Sequence, residues 1–96
     1  MQHPSSIIDP SAKIHESVEI GPFCLIGPDV EIGESTKIES HVILKGPTQI
    51  GRRNHIFQFS TVGDGSPDKK YNNEPTTLVI GDDNIIREGV TIHRGT

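Results

Sequence analysis

The chain has 96 residues, a single cysteine and a formal net charge of −4 at pH 7. This length provides one domain at most, and an acidic balance without a broad basic patch argues against a nucleic-acid partner. The longest uninterrupted apolar run, FCLI at 23–26, is far too short for a membrane-spanning helix or a secretion signal. We therefore predict a cytoplasmic protein with no stable membrane insertion.

An aliphatic residue returns every six residues from the beginning of the chain. The series reads Ile8, Ile14, Ile20, Ile26, Ile32, Ile38, Leu44, Ile50, Ile56 and Val62. Four residues after each of the first nine stands a small or slender residue, such as Ala12, Val18 or Cys24. A helix repeats about every 3.6 residues and a strand about every two, so neither element alone explains this period.

A coil with flat sides explains the period, because each hexapeptide then forms one side with its aliphatic and its small residue pointing inward. Three sides make one triangular turn, and turns stacked at about 4.8 Å align like residues in ladders. Gly and Pro often follow the aliphatic, as at Gly21 and Pro22, and we interpret them as the residues at which the chain bends. The sequence therefore predicts an all-β fold, a parallel β-helix with a thin, continuous core.

The series breaks after Val62 and resumes at Ile80, Ile86 and Ile92. The aliphatic positions expected in between hold Asp68 and Glu74. We expect these two residues to be exposed, and we expect all thirteen aliphatics of the series to be buried.

The break predicts one protruding loop within a single domain, 1–96. The expected coils cover 7–63 and 78–96, and the loop covers 64–77. Binding groups often collect on a loop that a rigid scaffold presents, so this loop is the first candidate for function.

These features resemble the hexapeptide-repeat acyltransferases, whose domain is a left-handed parallel β-helix. The segments FQFSTVGDGSPDKKYNNEPT and VIGDDNIIREGVTIHRGT are similar to the amino-terminal part of the UDP-N-acetylglucosamine 3-O-acyltransferase family. The resemblance covers 20–96, and its most specific motifs are the DxKY pattern at Asp68, Lys70 and Tyr71 and the closing IHRGT. It implies a left-handed β-helix, truncated relative to that family.

The resemblance also implies a function. Enzymes of this family move a 3-hydroxyacyl chain from acyl carrier protein to the 3-hydroxyl of UDP-N-acetylglucosamine in lipid A biosynthesis. They are cytoplasmic homotrimers with active sites between neighbouring coils. No HxxH, HxxxH or HxxxxH pair occurs in the sequence, so we expect no metal site, and we expect no cofactor.

Three residues are candidates for substrate binding. Asp68 and Lys70 fall on family positions implicated in holding the sugar nucleotide. A carboxylate can accept hydrogen bonds from sugar hydroxyls, and an ammonium group can meet a diphosphate as a point charge. His93, in the IHRGT motif, is the third candidate, with packing at the surface or in a ladder as the alternative.

The family's general base is a histidine in a coil beyond the IHRGT segment. The resemblance therefore implies no catalytic residue within 1–96 and no activity of this chain alone. A non-catalytic β-helix module that assembles with copies of itself is the alternative function. For assembly, we expect Phe57 and Phe59 to form an outward apolar patch that packs against a neighbouring subunit.

Overall fold

A computed structural model describes residues 1–65 and 76–94. These residues form thirteen short strands, and none of them belongs to a helix, so no helix of the described part could cross a membrane. The strands are β1 (Ile7–Ile8), β2 (Lys13–Ile14), β3 (Glu19–Ile20), β4 (Leu25–Ile26), β5 (Val30–Ile32), β6 (Lys37–Ile38), β7 (Ile43–Leu44), β8 (Thr48–Ile50), β9 (His55–Ile56), β10 (Thr61–Asp64), β11 (Leu78–Ile80), β12 (Ile85–Ile86) and β13 (Thr91–His93).

The strands stack into three parallel sheets, one for each side of a coil. The sheet orders are β1-β4-β7-β10-β13, β2-β5-β8-β11 and β3-β6-β9-β12, so each strand pairs with the third one after it. Ile8 lies opposite Ile26, and Ile26 lies opposite Leu44. These pairs stand three hexapeptides apart, which confirms the predicted parallel β-helix.

The aliphatic ladders form the core. Nine of the thirteen aliphatics in the series are buried, and the other four are half-buried: Ile8, Ile14, Ile80 and Ile92. These four belong to β1, β2, β11 and β13, the outermost strands of two sheets, where only one neighbouring coil covers them. The prediction that all thirteen would be buried is therefore wrong at the ends of the stack.

The small inward positions are also buried, and some of them are polar. Asn54 donates from Nδ2 to the Gly81 carbonyl at 2.8 Å, and its Oδ1 accepts from the Asn84 amide at 2.8 Å. The Ser60 hydroxyl donates to the Arg87 carbonyl at 2.8 Å. Within the described residues, every buried side-chain nitrogen or oxygen has a hydrogen-bond partner, so these polar groups link coils without an unpaired cost.

The coil turns at residues in the left-handed region, three places after the aliphatic. Seven of these corner residues are not glycine, and their φ angles lie between 55° and 62°: Phe23, Asp29, Ser35, His41, Arg53, Phe59 and Asp83. Gly33 lies two places before the corner residue Ser35, and a Cβ there would lie 2.7 Å from the Gly51 carbonyl of the next coil. That glycine permits close stacking of coils.

The interruption after β10 is an insertion that preserves the stack. Val62 pairs with Leu44, eighteen residues earlier, whereas Ile80 pairs with Ile50, thirty residues earlier. The difference is twelve residues, or two hexapeptides. Val62 then pairs onward with Ile92, so the sheets continue across the insertion in register.

We predict that Ile56→Ala lowers the free energy of unfolding by about 2–5 kcal/mol, because it leaves a cavity in a core that has no second layer. Ile56 is 0% exposed and pairs with Ile86 of the adjacent strand β12. Ile85, the residue before Ile86, is 68% exposed. Ile85→Ala is the matched control and should cost about 1 kcal/mol or less. Urea unfolding of both variants measures the difference, and equal losses would contradict this account of the core.

Candidate functional site

The chain leaves the coil through a bulge at the end of β10. The register between β10 and β13 runs from Val62 opposite Ile92 to Asp64 opposite His93, so Gly63 is the extra residue. Gly63 is buried and has a φ of 90°. A Cβ at this position would collide with the Lys45 carbonyl oxygen and with Thr48 Oγ1. Glycine is therefore required by both conformation and space.

Two consecutive residues at the end of β13 contact three consecutive carbonyls after Val62. Arg94 donates from Nε to the Gly63 carbonyl at 2.8 Å and from its amide to the Asp64 carbonyl at 2.8 Å. His93 Nδ1 lies 3.2 Å from the Gly65 carbonyl. We call Gly63, Asp64, Gly65, His93 and Arg94 the bulge site.

One exposed ion pair includes a residue of the bulge site. Lys45 Nζ lies 3.1 Å from Asp64 Oδ1, and the side chains are 50% and 39% exposed. An ion pair this exposed contributes little to stability. The Thr48 hydroxyl donates to the Lys45 carbonyl at 2.6 Å, which fixes the wall against which Gly63 packs.

The predicted substrate-binding residues fall into two groups. Asp68 and Lys70 lie outside the described residues, as do Tyr71 and Glu74. His93 is exposed and belongs to the bulge site, and its role in substrate binding stays a prediction.

Sequence reasoning did not single out Arg94, because an arginine side chain is usually exposed and solvated. Its carbonyl partner is brought to it by sheet pairing across 31 residues. The only available signal was the position of IHRGT one coil after the loop.

The other four histidines have local roles. His3 and His15 each accept from the amide of a serine two residues later. His41 lies between the rings of Phe23 and Phe59, with centroids 5.1 Å from each. Within 1–65 and 76–94, no three His, Cys, Asp or Glu side chains come together as a metal site would require.

His55 contacts Glu39 and lies beside Phe57. The hydrogen bond from His55 holds the pKa of the Glu39 carboxyl below its usual range. The His55 and Phe57 rings stack with their centroids 4.1 Å apart. The Arg87 guanidinium lies over the Phe57 ring, 4.1 Å from its centroid. Phe57 is therefore covered by residues of its own chain.

Phe59 belongs to a different surface. It forms a column at one corner of successive coils with Phe23 and His41, which we call the aromatic corner. Phe23 is 62% exposed and Phe59 is 67% exposed. The expected apolar patch of Phe57 and Phe59 is therefore wrong in its membership, because Phe23, not Phe57, shares the surface with Phe59.

The stacked hexapeptide sides and the in-register insertion define a β-helical hexapeptide-repeat protein. The family model described as the GMPPB C-terminal domain matches residues 2–96, and the chain belongs to this family.

Curated relatives are named as UDP-N-acetylglucosamine O-acyltransferases that use acyl-acyl carrier protein. One from Saccharophagus degradans is 64% identical over 94 residues, which cover 98% of this chain. Another from Stutzerimonas stutzeri is 66% identical over 93 residues, which cover 97% of this chain. The chain spans 36% of the length of each relative. The matched region is an amino-terminal part, which confirms the resemblance indicated by the sequence.

Solved structures give the same result. UDP-N-acetylglucosamine O-acyltransferase from Moraxella catarrhalis RH4 has a TM-score of 0.95 and 51% identity, covering 98% of this chain and 37% of its own. The Acinetobacter baumannii structure has a TM-score of 0.95 and 54% identity, covering 98% and 36%. The structure matches left-handed parallel β-helices at TM-scores of 0.95–0.97, so the predicted hand is confirmed.

We predict that Gly63→Ala destabilises the chain by at least about 3 kcal/mol, since the methyl group meets backbone and the φ angle becomes strained. Gly89→Ala is the control, because Gly89 also has a positive φ, 72°, but an added Cβ would meet no atom within 4 Å among the described residues. We expect it to cost about 1 kcal/mol. Thermal and urea unfolding compare the two, and similar losses would show that strain alone governs the bulge.

Proposed function

We propose that residues 1–96 form the amino-terminal β-helical part of an acyltransferase. The proposed reaction transfers a 3-hydroxyacyl chain from acyl carrier protein to the 3-hydroxyl of UDP-N-acetylglucosamine, a step of lipid A biosynthesis. The observation that carries the proposal is the 64% and 66% identity to relatives named as UDP-N-acetylglucosamine O-acyltransferases. A cytoplasmic location stays a prediction.

Within this chain, the proposed contribution is to bind the nucleotide sugar. Asp68 would accept hydrogen bonds from sugar hydroxyls, and Lys70 would meet the diphosphate. His93 would add a ring nitrogen at the bulge site, where it lies close to Gly65. The loop predicted at 64–77 would carry the first two groups away from the coil. We place no catalytic residue in this chain, and we expect residues 1–96 alone to transfer no acyl group.

The proposed assembly is a homotrimer. Its support is the aromatic corner, where Phe23 and Phe59 are exposed in a left-handed backbone conformation. An exposed apolar column of this kind is typical of a subunit contact.

The assay for the proposed function uses the complete protein that carries this segment, with a 3-hydroxyacyl-acyl carrier protein and UDP-N-acetylglucosamine. We predict that Asp68→Ala and Lys70→Ala each lower kcat/KM for the nucleotide sugar by about tenfold or more, the effect of losing one charge-assisted hydrogen bond. The melting temperature should not change.

Lys13→Ala and Glu16→Ala are the controls, because both residues are exposed in the first coil. They should leave kcat/KM unchanged. A complete protein that transfers no acyl group would contradict the proposed function. Self-association without transfer would favour the alternative, a non-catalytic β-helix module.

For the assembly, we predict that sedimentation of the parent gives a trimer and that the double variant Phe23→Ser/Phe59→Ser gives a monomer. Loss of two buried rings at a subunit contact removes several kcal/mol of association energy, on the order of 2–4 per ring. Val79→Ser is the control, since Val79 is 67% exposed on β11, whose sheet does not border the aromatic corner. A parent that sediments as a monomer at all concentrations would contradict the trimer.

A further inference from the structure

We infer that Arg94 is a positioning residue that sets the direction in which the chain leaves β10. It holds the Gly63 bulge and so aims the backbone that leads to Asp68 and Lys70. The inference rests on the proposed function, because it assigns to Arg94 a selective effect on the nucleotide sugar.

Hydrogen bonds around the bulge show that Arg94 replaces a donor of the β-ladder. The Val62 carbonyl accepts from the Lys45 amide at 2.9 Å, which is an ordinary bond between neighbouring strands. The extra residue, Gly63, has no place in that pairing, and its carbonyl is instead bound by Arg94 Nε at 2.8 Å. The side chain of Arg94 thus supplies the donor that the interrupted ladder does not.

The main chain of Arg94 fixes the next residue. Its amide donates to the Asp64 carbonyl at 2.8 Å, so one residue holds two successive peptide groups from two directions. The two bonds restrain the two peptide planes that meet at the Asp64 Cα, whereas a single bond would leave one of these planes free to rotate. The exit direction is therefore set at Gly63–Asp64.

The guanidinium group of Arg94 lies along the path by which the chain leaves β10. A Cβ built on Gly65 would lie 3.5 Å from Arg94 Nη2, so the guanidinium extends along the exit beyond Gly63. Arg94 is half-buried, and its planar fork fixes the donor direction in a way that a flexible ammonium cannot. The arrangement selects arginine over lysine.

A mainly structural role would give a different result from a positioning role. Arg53 provides the comparison, because its guanidinium makes two bonds to Asp83 in the next coil, at 2.7 and 3.0 Å, but contacts no residue of the bulge site. Loss of Arg53 removes a link between coils. Loss of Arg94 removes a link between the scaffold and the exit.

The experiment measures steady-state kinetics of the complete protein with Arg94→Gln, Arg94→Lys and the control Arg53→Gln. We expect Arg94→Gln to raise KM for UDP-N-acetylglucosamine by about tenfold, as for one lost charge-assisted bond, with kcat unchanged within about twofold. Arg94→Lys should recover part of the loss. Arg53→Gln should leave KM unchanged and should melt no higher than Arg94→Gln.

Each other outcome is decisive. Equal KM values for Arg94→Gln and Arg53→Gln in an active protein overturn the inference. A fall in kcat and in melting temperature for Arg94→Gln without a rise in KM overturns it as well. If Arg94→Gln does not fold, Arg94→Lys is compared with Arg53→Gln by the same measure.

An inactive parent overturns the proposed function, and amide hydrogen exchange of the 61–65 peptide then tests the inference separately. Faster exchange in Arg94→Gln than in Arg53→Gln supports positioning of the exit. Equal exchange in the two variants overturns it.

Discussion

Each strand has to find its hydrogen-bond partner in the coil directly above it, and the other features of the structure depend on this constraint. A coil of three hexapeptides brings Ile8 over Ile26 and Ile26 over Leu44, so a single inward ladder is built from residues far apart in the chain. The core is one side chain deep from each wall. The scarcity of aromatic residues, 4% of the chain, fits this geometry because large rings would not fit such a narrow interior.

The inward ladder could be predicted from the sequence because its period is set by the chain's own geometry. The corners could not be predicted. Residues as different as Phe23, Asp29 and Arg53 share a left-handed φ, since the coil closes only if the chain turns there, and the bonds between coils offset the strain. The sequence carries no common residue type at this position. Glycine, which we interpreted as a residue at which the chain bends, also allows the close approach of Gly33 to Gly51.

The bulge site shows a second limit of sequence reasoning. The break after Val62 was visible as two missing aliphatics, at Asp68 and Glu74. The contact between Arg94 and Gly63 was not visible, because it depends on which strand follows β10 in the stack. An insertion of two whole hexapeptides returns the chain to the same sheet order, and the entropy of closing a longer loop grows only slowly with its length. The stack can therefore carry a long insertion at a small cost in free energy, and its register is unchanged.

The buried polar residues supply information that the aliphatic ladder lacks. Because every hexapeptide offers an aliphatic at the same place, apolar packing alone would accept a chain that returned one side too early. Asn54 discriminates, since its amide needs both the Gly81 carbonyl and the Asn84 amide, and a slipped chain would leave that amide buried and unpaired at a cost of about 1–3 kcal/mol. The Ser60 hydroxyl donates to the Arg87 carbonyl of the next coil. These bonds join the coil before the insertion to the coil after it, and so they hold β13, with His93 and Arg94, above the bulge.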